Sequence, residues 1–191
     1  FVATARRAGA LGVPVTRHSI ERAELKAESL DVISLWHVLE HLENPAAALA
    51  RLRSWLRPGG ILLVGVPNLG SLQARIGGGR WYHLDVPRHR VHFTVAGLTR
   101  LAESQGLEVV ATHQLLLEHN PFGMWQSGLN RLTRRPSYLY HLLKRNVPVQ
   151  ARDLSITLLA LPLIPVAAAL ELAAGAARRG GTFALVARRP S

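Results

Sequence analysis

The chain has 191 residues and no cysteine. That excludes disulfides, thiolate metal centres and a cysteine nucleophile, and it suits a protein of the reducing cytoplasm. Acidic residues are few: 12 against 23 Lys and Arg, for a net charge of +11. Such an excess points to a polyanion or an anionic membrane surface. Aromatics make up 6% of the chain. In the basic region they are limited to Trp125, Tyr138 and Tyr140, too sparse for a base-stacking platform, so nucleic acid is not the expected partner. The one Gly-rich tract, Gly77-Gly78-Gly79, follows the Pro67-Asn68 turn and not an apolar strand. It is therefore not a dinucleotide or cofactor loop. No repeat or low-complexity tract stands out. A hydrophobic content of 48% against 18% charged residues excludes disorder, and the length fits one domain with a sizeable core.

What is present is a βαβ pattern. Residues 31–36 are β-branched and almost continuously apolar, as in a parallel strand covered on both faces. Asn44 followed by Pro45 is a helix start, with an N-cap and a proline where the missing N–H costs nothing. Residues 46–56 carry Leu49, Leu52 and Trp55/Leu56 on one face. Pro58 stops that helix, Gly59-Gly60 turns the chain, and 61–66 is the next strand. Thr94 caps a helix that runs through Gln105 and ends at Gly106. A long apolar strand over 108–117 is expected, and a last strand over 182–188.

His37, Glu40 and His41 fall just past the carboxyl end of the first strand, where open α/β sheets bind ligands. Their i, i+3, i+4 spacing puts them on one side if the segment is helical. A second polar set follows: His83, Asp85, Arg88, His89 and His92. Three readings stand side by side. His37 or His41 can serve as a general base, with His83, Asp85, Arg88, His89 and His92 binding the substrate. Glu40 and His41 with His89 or His92 can hold a divalent ion. Or the two sets form hydrogen-bond networks that fix the loops, with Arg88 pairing with Asp85 or Glu40.

The stretches LWHVLEHLENP (35–45), LRPGG (56–60) and GVPN (65–68) resemble the second half of a class I S-adenosylmethionine-dependent methyltransferase. The likeness is to the broad group that includes ubiquinone-type O-methyltransferases. WYHLDVPRH (81–89) and HFT (92–94) fit a subset of that group, GLEVV (106–110) resembles a later strand, and GTFALVAR (181–188) the antiparallel last strand. The resemblance covers roughly residues 1–117 and 180–190. It implies a Rossmann-like, doubly wound α/β sheet and S-adenosyl-L-methionine as cofactor. Such enzymes open with a strand and a GxGxG loop, then a second strand ending in an acid that binds the ribose. Neither pattern occurs here. The chain therefore reads as an amino-terminally truncated methyltransferase domain, expected to bind the cofactor weakly by itself and to be inactive alone. Residues 1–10 read as the helix after the second strand, and 13–17 as the third strand.

By the same resemblance Ser19 stands where the family often has an acid near the adenine amine, and Ile20 is an apolar contact for adenine. Leu35, Trp36 and His37 run along the cofactor, Trp36 being either a wall of that site or core. Similar Glu/His sets hold a metal in small-RNA 3′-end 2′-O-methyltransferases. His37 replaces the Glu usual there, which leans toward a borderline metal. The expected reaction is methyl transfer to oxygen on a hydrophobic or membrane-associated acceptor, small or lipid-linked. The alternative is a non-catalytic membrane-peripheral or nucleic-acid-binding module on a decayed methyltransferase fold.

The chain divides into an α/β portion (1–119), a basic and apolar helical insertion (120–180) and the last strand with its tail (181–191). Residues 154–170 form a 17-residue run without a charge, interrupted by Pro162 and Pro165. A span needs about 20 apolar residues. The choices are a membrane-surface or re-entrant hairpin, a true span, or a helix covering the sheet. The prolines favour the hairpin. The expected location is cytoplasmic, peripheral at the inner face of the membrane.

Overall fold

The computed structural model describes residues 10, 12, 14, 15, 18–117 and 120–191. Strand β1 (Leu30–Trp36) leads into a short 3-10 turn (Leu39–His41) and helix α1 (Pro45–Trp55). Asn44 caps α1 by accepting from Ala47 N, with Pro45 in the first turn. Strand β2 (Leu56–Pro67) starts at once. Pro58-Gly59-Gly60 is not a turn between elements but a bulge inside β2. Leu30 pairs with Leu56 and Val32 with Ile61, and Gly59 takes φ +79°. The bulge is held by the tail of the last strand, because Gly59 N donates to Arg189 O and Arg189 N to Gly60 O.

Helix α2 (Leu72–Gly77) and two 3-10 turns (Gly78–Arg80 and Tyr82–Leu84) precede α3 (Val95–Ser104) and β3 (Glu108–His113). Thr94 caps α3 through Gly97 N, and Gly106 at φ +76° ends the segment, as the sequence predicts. The insertion folds as α4 (Asn120–Leu129), α5 (Tyr138–Leu143), α6 (Ala151–Ala160), a 3-10 turn (Leu161–Leu163) and α7 (Ile164–Ala176). Strand β4 (Thr182–Arg188) closes a four-stranded sheet of order β1-β2-β4-β3. β1 and β2 are parallel, and β4 is antiparallel to both β2 and β3.

The main core lies on one face of this sheet. Leu62, Val64 and Val66 of β2 alternate inward and meet Leu49 and Leu52 of α1 and Leu98 and Ala102 of α3, all 2% exposed or less. Burying each leucine stabilises the fold by about 2–3 kcal/mol. A second, smaller core joins α4 to α7 through Met124, Trp125, Leu129, Ala167 and Ala174.

Several expectations differ from the structure or fall outside the described residues. β1 is not covered on both faces: it is an outer strand of the described sheet, and Val32 is 60% exposed. The strand expected over 108–117 stops at His113, because the chain leaves the β4 ladder after His113 pairs with Ala184. The strand expected over 13–17 lies partly outside the described residues, and described Pro14 and Val15 are in no strand. The helix expected over 1–10 lies outside them except for Ala10, which is helical. Finally, Pro162 and Pro165 do not fold the run into a hairpin: Ala151–Ala176 continues helically. Each proline sits in the first turn of its segment, where no N–H is needed for a helical bond.

Candidate functional site

β1 ends at Trp36, whose half-buried ring lies against Gly65 of β2. A Cβ at Gly65 would collide with that ring, so glycine is what lets the indole lie flat on the neighbouring strand. The chain then reverses. His37 adopts φ +51°, and its N–H donates to Gly65 O at 3.0 Å. The Leu39–His41 turn that follows is 3-10, so His37, Glu40 and His41 do not form one helical face. His37 and Glu40 meet, with Nδ1 and Oε1 3.1 Å apart, while His41 turns away toward the loop 83–92.

Glu40 is the centre of the cluster. It is 1% exposed, and its Oε2 has no hydrogen-bond partner. Its backbone carbonyl accepts from Arg90 N and Val91 N, which brings the second polar loop over the first. His41 Nδ1 lies 2.9 Å from Arg88 O, and His89 Nδ1 lies 2.7 Å from His83 O. A carbonyl only accepts, so each Nδ1 carries the proton, and in the neutral ring each Nε2 is left basic. His89 Nε2 is 4.0 Å from Glu40 Oε1, and the His41 and His89 rings are 4.8 Å apart. Glu40, His41 and His89 each offer a donor atom within 4.8 Å of the others. His92 stands outside this group: its Nε2 donates to Leu84 O at 2.8 Å. Arg88 pairs with Asp85 at 2.6 Å and holds the loop.

Burial pushes the His89 imidazole below its ordinary pKa, against the opposite pull of the His83 carbonyl and the Glu40 carboxylate. The folded state thus takes up this proton less readily than the unfolded chain. The contribution to stability is present above the ordinary imidazole range and is lost as pH falls through that range toward the lowered value. His89→Asn should therefore flatten the acid side of the stability profile. Thermal melts from neutral to mildly acidic pH check this, and a profile as steep as wild type would refute it.

The cluster opens into a cleft of about 390 Å³. His37, His41, His83, Asp85, Arg88 and His89 line it, as do Tyr82 and, from the insertion, Ser137, Tyr140 and His141. Stacked His37 and His83 rings (6.2 Å, 7° between planes) form part of one wall. Lys144 donates to the Tyr140 hydroxyl at 2.6 Å and is the main cause that holds this phenol below its ordinary pKa. Tyr82, Tyr140 and His141 are site residues that sequence reasoning missed. The signal available was Tyr82 inside the WYHLD stretch. Tyr140 and His141 gave none, since α5 reaches the cleft only through tertiary packing.

The residues expected beside adenine lie apart from this cleft. Ser19 is exposed in a turn whose carbonyl accepts from Arg22 N and Ala23 N, and Ile20 packs on the main core. The Ser19 hydroxyl is the first cause that lowers the Glu21 carboxyl, so an acid does stand in this turn, two residues beyond Ser19. His18, Ser19, Glu21 and Arg22 line a shallow open depression. Leu35 points its side chain into the core, 5% exposed.

Residues 4–112 match the methyltransferase domain family. The chain belongs to that family. A Mycolicibacterium smegmatis protein named as an S-adenosylmethionine-dependent methyltransferase is 33% identical over 100 residues, which is 52% of this chain and 37% of the relative. The chain thus spans little more than a third of that relative's length. A SAM-dependent methyltransferase structure from Thermotoga maritima superposes with a TM-score of 0.59 at 18% identity, covering 98% of this chain and 69% of its own. The cyclase SpnF superposes with 0.56 at 18% identity, covering 99% and 60%. These structures share the class I α/β fold. A cyclase among them shows that the fold alone does not name the reaction.

Proposed function

We propose that this chain forms the acceptor side of an S-adenosylmethionine-dependent methyltransferase that methylates oxygen on a hydrophobic or membrane-associated acceptor. The observation that carries the reading is Glu40: a buried carboxylate with an unpartnered oxygen, set behind the imidazoles of His37 and His89, which line the cleft. When bound, the cofactor supplies a methyl group already activated on a sulfonium. Little side-chain chemistry is then needed beyond alignment and removal of one proton.

His41 is the base for that proton. Arg88 O fixes its tautomer and leaves Nε2 basic. Glu40 orients His37 through the 3.1 Å contact, so His37 faces the cleft from the strand end. His83, Asp85, Arg88 and His89 shape the acceptor wall, and His92 holds the loop behind them. Glu21 and Ser19 suit the adenine amine, Ile20 and Trp36 its apolar faces, and the left-handed His37 turn the cofactor edge of β1. A quinone- or polyprenyl-type acceptor, as in the ubiquinone-type group, agrees with the apolar surface of the insertion and with a site of action at the inner face of the membrane.

A second reading has its own support. The grouping of donor atoms within 4.8 Å, with both Nδ1 atoms tied to carbonyls, is how metal-binding histidines are commonly oriented. Glu40, His41 and His89 would hold a borderline divalent ion, which would polarise the acceptor hydroxyl.

Production of S-adenosylhomocysteine by the intact protein tests the proposal. It should rise with a membrane lipid extract and not with the aqueous extract. A chelator should leave it unchanged if His41 acts as base alone, and abolish it if the ion is required. No turnover with either extract would defeat the proposal.

A further inference from the structure

The helical run Ala151–Ala176 is polarised in the reverse of the usual sense. Asp153 and Thr157 in α6, and Ala167, Glu171 and Ala174 in α7, are spaced three or four residues apart within each helix, face the protein and are buried. Leu158, Leu159, Leu163, Val166 and Leu170 point outward, Leu159 being 79% exposed. A helix facing water carries its apolar stripe inward and its polar residues outward. Here small and polar residues face the domain and leucines face out. Only 17% of the most apolar window is buried. A contiguous apolar patch of this kind marks an interaction surface.

Two carboxylates limit how that surface is used. Asp153 accepts from Arg134 N at 3.1 Å and Arg135 N at 3.2 Å. Glu171 accepts from Gly181 N at 2.7 Å and Gln73 Nε2 at 2.8 Å. Both halves of the run are thus fastened along the domain by buried charge-assisted bonds. To cross a bilayer the run would have to break these bonds or carry Glu171 into hydrocarbon. It lies on the domain and offers one face, about 39 Å long at 1.5 Å per residue.

Charge indicates what covers that face. Exposed Arg131, Arg134 and Arg135 precede its amino end, Arg152 is in its first turn, and exposed Arg178 and Arg179 follow its carboxyl end. An apolar strip bracketed by cations complements an anionic bilayer, with leucines at the acyl boundary and guanidinium groups among the headgroups. A second copy of the chain on the same strip would bring like charges together.

We infer that the outward face of Ala151–Ala176 docks the protein flat on an anionic bilayer surface, without crossing it. The inference is independent of the reaction carried out in the cleft.

Flotation of the intact protein with phosphatidylcholine vesicles, with and without phosphatidylglycerol, tests it. Wild type should float with the anionic vesicles, less in high salt but not to zero, and alkaline carbonate should release it. Leu159→Ser/Leu163→Ser/Val166→Ser should lower the bound fraction at least about tenfold with an unchanged melting temperature, since these side chains are exposed. Arg134→Ala/Arg135→Ala/Arg178→Ala should weaken binding at low salt and match wild type at high salt. Failure of wild type to float would overturn the inference, as would undiminished flotation of the serine variant. Resistance to carbonate would show a span instead. A dimer that the serine variant converts to monomer, with no flotation, would show a second copy instead.

Discussion

In the intact protein, His41→Ala and Glu40→Gln should each lower turnover at least about tenfold, the lower end for loss of a positioned proton-transfer group. Affinity for S-adenosylhomocysteine should not change. The two losses have different origins. His41→Ala removes the imidazole whose Nδ1 is tied to Arg88 O and whose Nε2 is basic. Glu40→Gln keeps the shape of a side chain that is 1% exposed but removes the charge beside His37 and His89. If a divalent ion is held there, a chelator should reproduce both losses in wild type and added ion should reverse them. Wild-type rates in both variants, with unchanged melting temperatures, would take the cluster out of the active centre.

The largest stability effect should come from Glu171. Its carboxylate accepts from Gly181 N and Gln73 Nε2 in a site that is 2% exposed, at the junction of α7, α2 and the start of β4. Glu171→Ala leaves Gly181 N–H without a partner and Gln73 Nε2 with Asn120 O alone, at a cost of about 2–5 kcal/mol. Burial raises the Glu171 carboxyl above its ordinary pKa, and the two hydrogen bonds offset this only in part. The folded chain therefore binds this proton more tightly than the unfolded chain. The contribution favours folding below the ordinary carboxylate range and is lost as pH rises through the raised folded value. Glu171→Gln carries no such proton, so it should gain on wild type as pH rises across that window and lose the advantage in acid. Thermal melts of both variants over pH decide this, and parallel profiles for wild type and the glutamine variant would contradict it.

The βαβ unit was legible in the sequence because its signals are local. Asn44-Pro45, Thr94 and Gly106 act on their own backbone neighbours, and each ends or starts an element where expected. The covering of β1 was not legible, since an apolar run reads the same in a central strand and in an outer one. Pro162 and Pro165 misled for a related reason: proline breaks a helix interior but suits a first turn, and only the intervening 3-10 turn makes both positions first turns. At the site, the sequence brought Glu40 to His37 and Arg88 to Asp85, pairs three residues apart. The structure brings one member of the second histidine set, His89, to Glu40 and His41. His92 lies outside that group, its ring nitrogen bonded to Leu84 O, and the sequence had no means to place Tyr140 and His141 in the cleft. The inverted stripe of Ala151–Ala176 was hidden as well. The run is apolar nearly all round, and only packing shows that Asp153 and Glu171 face inward.

The proposed reaction is methyl transfer to oxygen on an apolar acceptor in the cleft lined by His41. The most direct test is to supply the intact protein with methyl-labelled S-adenosylmethionine and a membrane lipid extract, and to record the product by NMR. Label is expected in the organic phase, at the chemical shift of a methyl ether, and should disappear with His41→Ala. Label on nitrogen or carbon, label confined to the aqueous phase, or full incorporation by the His41 variant would contradict it.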